Sequence, residues 1–230
     1  MKYAILFFLL AAILFGLAAY QAGIFYVALW PAFTFSVLAA GYAWLHVSIM
    51  GKRLDGTIAW WAIVLLLPYL LLTWSMWHVL RIIGREDCCN EIEPGLWLGR
   101  RPLAHEVPPG VDLVIDLTAE FFEPAGVVRG RTYVCLPVLD ASIPELDTFE
   151  GAVARVSSWP GRALIHCASG HGRSAMLMAA VLVRKGSAAS IEEALERIQK
   201  ARPAIGLNKQ QRQFLDLWLL QYVKESHADA

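Results

Sequence analysis

The sequence predicts an α/β layer domain, a largely parallel sheet flanked by helices, preceded by an α-helical transmembrane segment. Three observations carry this. Apolar residues crowd the first third of the chain. Short β-branched runs alternate with helical patterns in the remainder, and the charge changes sign between the two parts. Of the 230 residues, 57% are hydrophobic and 17% charged, with a mean hydropathy of +0.48. That is more apolar than a soluble domain of this size. Residues 1–85 hold the basic side chains Lys2, Lys52, Arg53, Arg81 and Arg85 against the single acid Asp55, a net of +4. The remainder holds 15 basic and 19 acidic residues, a net of −4, so an overall balance of zero conceals two halves of opposite sign.

Within residues 1–85 three apolar stretches, 3–20, 24–49 and 57–83, are each long enough to cross ~30 Å of hydrocarbon as a helix. Tyr20, Tyr26, Trp30, Trp60, Trp61 and Trp77 gather near their ends, as interfacial anchors do. Pro31 and Pro68 are tolerated in membrane bundles. A cleaved signal peptide would also open on Lys2 and an apolar run, but no A-x-A site follows and further spans come directly after. Three spans put the ends of the segment on opposite faces. Lys52 and Arg53 draw their loop to the cytoplasm, and Arg81 and Arg85 draw the opposite end there. The reading adopted is an integral membrane protein with its C-terminal half on the cytoplasmic side of an inner or plasma membrane. Residues 86–94 then read as a charged linker, and 95–225 as the catalytic domain.

That domain resolves into elements in order. Residues 95–99 form a short strand bounded by glycines, and the β-branched runs 111–117 and 132–136 are strands. Residues 144–158 are a helix, with Pro144, Glu145 and Asp147 at its start and Leu146, Phe149, Val153 and Val156 at helical spacing. Residues 163–166 are a buried strand, and 174–184 and 190–201 are helices. Ser190 and Glu193 open the second of these as a capping box, and 208–222 is a last amphipathic helix. The mildly acidic half lacks the basic stripe that nucleic-acid binding requires, so no nucleic-acid partner is expected. Cys88, Cys89, Cys135 and Cys167 form no CxxC pair or zinc spacing and are too few for a disulfide framework.

The chemistry lies in His166-Cys167-Ala168-Ser169-Gly170-His171-Gly172-Arg173-Ser174. A buried strand runs into a loop rich in glycine and serine, and a helix starts at its far end. Backbone N–H groups of Ala168, Ser169, Gly170, His171 and Gly172 can turn inward on an anion, with the helix N-terminus adding partial positive charge. Arg173 offers a planar fork for two phosphate oxygens. The same field stabilises negative charge on the Cys167 sulfur, which stands at the base of a phosphate cradle as a nucleophile. Catalysis would pass through a cysteinyl-phosphate hydrolysed by water, with Ser174 hydrogen-bonding the departing sulfur.

This segment resembles the His-Cys-x5-Arg-Ser signature of the protein-tyrosine-phosphatase superfamily, in particular its compact dual-specificity branch. The resemblance covers about residues 91–222 and leaves the first 85 untouched. It implies a central sheet of about five strands flanked by helices, no metal and no organic cofactor. It further implies a general acid on a loop after a strand. In Tyr133-Val134-Cys135-Leu136-Pro137-Val138-Leu139-Asp140 that residue is Asp140, with Asp147 the second candidate. His166 would order the loop. In Arg202-Pro203-Ala204-Ile205-Gly206-Leu207-Asn208, the last residue would brace the catalytic loop or cap the following helix. Gln210 and Gln211 stand where the tyrosine-specific branch has a water-positioning glutamine. Cys88 and Cys89 are juxtamembrane candidates for acylation or plain thiols, and Cys135 reads as core.

The substrate implied is a phosphorylated protein, which makes the chain a membrane-anchored dual-specificity protein phosphatase. Two alternatives stand beside it. Asp140-Ala141-Ser142-Ile143-Pro144-Glu145-Leu146 and Ser190-Ile191-Glu192-Glu193-Ala194 are similar to the mitochondrial members that dephosphorylate phosphatidylglycerophosphate, which implies a phospholipid phosphatase working on that lipid or on a phosphoinositide. The loop, however, lacks the extra Lys or Arg of lipid-acting relatives. The other alternative is a catalytically silent phosphate-binding scaffold, against which Cys167, Arg173 and Asp140 all stand intact.

Overall fold

The computed structural model describes residues 2–20, 24–44 and 46–228. They fall into two compact units. One comprises the N-terminal helices together with Ala119–Phe122, and the other comprises Leu54–Gly56, Arg85–Thr118 and the chain from Glu123 onward.

The first unit holds helices α1 (Lys2–Tyr20), α2 (Leu29–Trp44) and α3 (Trp60–Ile83). Three helices, Lys2–Tyr20, Tyr26–Trp44 and Trp60–Ile83, are long and apolar enough to cross a membrane. They are apolar all round, as helices that face lipid are. Ile5, Phe8, Leu9 and Ile13 of α1 and Val64, Leu71 and Leu72 of α3 are exposed. The buried side of α1 is made largely of small residues, Ala4, Ala11 and Ala18, with Ala32 and Ala39 buried on α2. Small residues let helix backbones approach closely. The expected middle stretch 24–49 is corrected: 3₁₀ turns at Ile24–Ala28 and Val47–Met50 flank a shorter helix. Likewise the third helix starts at Trp60, after an extended Ala59. Pro68 sits inside α3 and has no N–H for the Val64 carbonyl four residues back. Trp30 Nε1 donates to that carbonyl at 3.1 Å, and Thr34 Oγ1 donates to the next one, Leu65 O, at 2.7 Å.

The second unit is an α/β layer. Its elements are β1 (Cys89–Glu93), β2 (Leu96–Arg100), β3 (Val111–Thr118), α4 (Ala125–Val128), β4 (Thr132–Val138), α5 (Leu146–Ser157), β5 (Arg162–Cys167), α6 (Arg173–Arg184), α7 (Ile191–Ala201) and α8 (Lys209–Ala228). The sheet order is β1-β2-β5-β3-β4, parallel except for β1. Leu98, Leu113, Ile115, Leu117 and Ile165 are fully buried in the core with Phe149, Trp218 and nearly all of α6. Pro137 lies in β4, which is tolerable because that strand is an edge, and the register slips there between Asp116 and Thr118. Ser190 Oγ accepts from Glu193 N at 3.2 Å, the cap expected for α7, while the Glu193 carboxylate reaches back to Ala189 N at 2.8 Å.

Part of the expected linker 86–94 is strand β1. Its charges, Glu91 and Glu93, read as a hinge but suit an edge strand, where charge blocks further pairing. Glu93 is taken up by Arg197 at 3.0 Å and Lys185 at 3.8 Å. Gly95, at φ 81, makes the tight turn into β2.

Candidate active site

β5 delivers Cys167 as its last residue and α6 begins at Arg173, so the loop 168–172 joins the carboxyl end of a central strand to a helix N-terminus. The Cys167 side chain is buried. Its Sγ lies 3.2 Å from Ser174 Oγ and accepts the Gly170 N–H at 3.2 Å. Gly170 has φ 78, and a Cβ there would fall 2.5 Å from the Gly99 carbonyl carbon. Only glycine lets the loop lie on β2 and aim that N–H at the sulfur.

Arg173 is buried and anchored. Its Nη1 donates to Val138 O at 2.8 Å and Leu117 O at 3.4 Å, at the ends of β4 and β3. Its Nη2 pairs with Asp140 Oδ1 at 3.1 Å. Asp140 stands two residues past β4, its side chain 59% exposed. Together these groups border a cavity of about 190 Å³. The loop contributes Cys167, Ser169, Gly172 and Arg173, and the facing wall consists of Asp140, Ala141, Gly206, Asn208 and Gln211.

Not every expected phosphate ligand lines this cavity. Ser169, Gly172 and Arg173 do; Ala168, Gly170 and His171 do not. Ala168 turns its carbonyl to Arg101 N at 3.3 Å, and Gly170 serves the sulfur. His171 points away, its Nε2 2.7 Å from Glu86 Oε2, because that carboxylate offers it a charged partner at the start of the unit. Asp147 is exposed in the first turn of α5 and Gln210 is exposed on α8, both away from the cavity. Asn208 caps α8, and its side-chain nitrogen goes to the segment beside Asp140 rather than to the loop 168–172. Its Oδ1 accepts Gln211 N at 3.0 Å as a helix cap, and its Nδ2 donates to Ala141 O at 2.7 Å.

His166 is fully buried beneath the loop. The parallel register of β3 and β5 sets it beside Asp116, with Nδ1 3.9 Å from Asp116 Oδ1 and Nε2 3.9 Å from Glu123 Oε1. Among the described residues Asp116, Glu123 and His166 form a group of metal-ligating types whose ligand atoms all lie within 4.8 Å of one another. Asp116 is already engaged by the Thr118 N–H and hydroxyl and the Tyr133 hydroxyl, each at 2.7 Å. Arg101 Nε lies 3.5 Å from Glu123. The cluster is thus a buried polar network under the loop. Burial, and then the Asp116 charge, push the Tyr133 phenol up from its ordinary range.

Arg202 was not singled out by sequence reasoning, yet it is the main strut of the loop. Fully buried, it donates to Gly170 O at 2.9 Å and Ser169 O at 3.0 Å. On its other side it reaches Asp87 O at 3.0 Å, Asn90 Oδ1 at 2.8 Å and Glu86 Oε2 at 3.2 Å. The only hint was an arginine placed between the last turn of a helix and a proline. Arg202→Met is expected to cost about 3 kcal/mol of unfolding free energy, because the Ser169, Gly170 and Asp87 carbonyls lose their shared donor; chemical denaturation reads this. Arg202→Lys should recover little of it, since one ammonium cannot span both sides.

Cys88 and Cys89 are partly buried thiols with sulfurs 3.6 Å apart. The bond from Cys89, aided by Arg100, holds the Cys88 thiol below its ordinary range, and the same bond with burial pushes Cys89 up. Cys135 is a buried core residue of β4.

Residues 98–219, just over half the chain, match the family described as dual specificity phosphatase, catalytic domain. The chain belongs to that family. The dual specificity phosphatases are phosphoric monoester hydrolases of the protein-tyrosine-phosphatase superfamily. Mouse dual specificity protein phosphatase 18 is 31% identical over 109 residues, 46% of this chain and 54% of that protein, so the match spans about half of the relative's length. The crystal structure of PTPMT1 in complex with PI(5)P shares the dual specificity phosphatase fold with a TM-score of 0.53 at 24% identity, covering 61% of this chain and 99% of that one. The human tyrosine phosphatase-like serine/threonine/tyrosine-interacting protein shares it at 0.53 and 22% identity, over 60% and 99%.

Proposed function

We propose that this protein is a membrane-anchored, cysteine-dependent phosphatase that hydrolyses phosphomonoesters of the dual-specificity protein type. The observation that carries the proposal is the convergence on one cavity of the Cys167 sulfur, with Ser174 Oγ 3.2 Å from it, and of Arg173 and Asp140. An incoming phosphate would take Arg173 Nη2 from Asp140 and lie over the sulfur. The thiolate attacks phosphorus, the P–O bond to the leaving group breaks, and Asp140 gives its proton to that oxygen. Water then attacks phosphorus, Asp140 takes its proton, and the sulfur departs with a hydrogen bond from Ser174. Inorganic phosphate is released, and no metal or organic cofactor enters the scheme. The three apolar helices would hold the enzyme in an inner or plasma membrane with the catalytic unit, 95–225, on the cytoplasmic side.

The lipid reading is favoured by those same helices, which would keep the enzyme at a bilayer. Among the described residues lining the cavity Arg173 is the sole cation. That suits a single phosphomonoester, as in a phosphoprotein or phosphatidylglycerophosphate, better than a polyphosphorylated inositol. Phosphate release from phosphotyrosyl peptide, phosphatidylglycerophosphate and phosphoinositides, measured side by side, separates these substrates; release from none of them would favour the scaffold reading. Asp140→Ala is expected to lower turnover of alkyl phosphates by roughly 10²- to 10⁴-fold and of activated aryl phosphates far less. Equal losses on both would place the acid elsewhere.

A further inference from the structure

We infer that the first turn of α8 is a clamp on the acid loop, and that Gln211 is a positioning residue for Asp140 rather than an orienter of the attacking water. The inference rests on Asp140 being the general acid. The side-chain anchor of Asp140 is its ion pair with Arg173 at 3.1 Å, and a bound phosphate competes for that same guanidinium. The loop must therefore be held elsewhere when substrate is present. It is held at the next two carbonyls. Ala141 O accepts Asn208 Nδ2 at 2.7 Å, and Ser142 O accepts Gln211 Nε2 at 3.2 Å. Ala141 sits at φ 55, a left-handed conformation that is unfavourable for a residue with a side chain. Such a loop needs outside support to persist.

The two amides are themselves fixed. Asn208 N donates to Gln211 Oε1 at 3.1 Å and Gln211 N donates to Asn208 Oδ1 at 3.0 Å, the reciprocal pattern of a capping box. Each side chain thus commits its oxygen to the helix start and its nitrogen to the acid loop, which also fixes which way each amide faces. Gln211 is buried. Gly172 gives it room to pass beside the phosphate loop, since a Cβ there would come within 3.3 Å of Gln211 Oε1. A water-orienting glutamine needs its amide turned to the phosphorus; this one is turned to the backbone beside Asp140.

The test uses the full-length chain in detergent with p-nitrophenyl phosphate, phenyl phosphate and phosphoserine as substrates. Gln211→Met keeps the volume of the side chain, and Asn208→Ser keeps a helix cap while removing the amide donor. Each is expected to lose about 10- to 100-fold more kcat on phosphoserine and phenyl phosphate than on p-nitrophenyl phosphate, with KM little changed. The alkaline limb of the kcat–pH profile, which reports the acid, should shift in the same variants. If Gln211→Met fails to fold, Gln211→Glu retains the acceptor for Asn208 N and deletes the donor to Ser142 O. Equal loss across the three substrates would overturn the clamp. So would a nitrophenol burst followed by slow turnover, which would make Gln211 a water-orienting residue. Asp140→Ala run alongside separates the two levels: if it shows no leaving-group dependence, the acid assignment fails and the clamp falls with it. If it does while Gln211→Met does not, the clamp alone fails.

Discussion

Cys167→Ser is expected to lower turnover on every substrate by roughly 10⁴-fold or more, the scale on which removal of a covalent nucleophile acts. A hydroxyl in place of the thiol is a poor nucleophile without a general base beside it. The sulfur's neighbours, Ser174 Oγ and the Gly170 N–H, both at 3.2 Å, are hydrogen-bonding groups and supply no base. Binding should survive, because Arg173 and the α6 N-terminus are untouched; calorimetric titration with inorganic phosphate would show an affinity near that of the parent. Release that persists at the parent's rate would remove the sulfur from the mechanism.

Arg173→Lys comes next in size, with an expected loss of about 10³-fold in kcat/KM. Charge is kept, but the planar fork is not. The guanidinium works on two fronts, one nitrogen on Val138 O at 2.8 Å and the other on Asp140 at 3.1 Å. A lysine can satisfy one front only, so the ends of β3 and β4 lose their tie to the loop, and kcat and KM should both worsen. Steady-state kinetics on an aryl and an alkyl phosphate checks this. A lysine variant of near-parental activity would mean that charge alone suffices.

Much of this unit was legible from local pattern. Strands β3 and β4 are short runs rich in β-branched residues that no helix would favour, and the Cys167–Ser174 segment carries its chemistry in consecutive residues. What escaped was built from contacts distant in sequence. Strand β1 is polar and charged, and only its place at the edge of a sheet explains why it is a strand. Arg202 looks like any helix-terminal arginine until five acceptors from residues 86–90 and 169–170 close around it. The side chain of His171 lies within the motif, yet its partner is Glu86, 85 residues earlier. Asp116 shows the same limit. It interrupts an apolar strand, and its partners Tyr133 and His166 become visible only once the register of three strands is known.

The indole of Trp30 on the Val64 carbonyl bears on how such a chain can change over generations. Pro68 leaves a backbone acceptor without its helical donor, and the indole N–H supplies one in its place. The tryptophan and the proline are therefore one heritable unit written at two places. A descendant that loses the indole gains by losing the proline, and one that never had the proline has no use for the indole's N–H. Substitution at either position is then conditional on the other, across a separation at which neither residue alone announces the dependence.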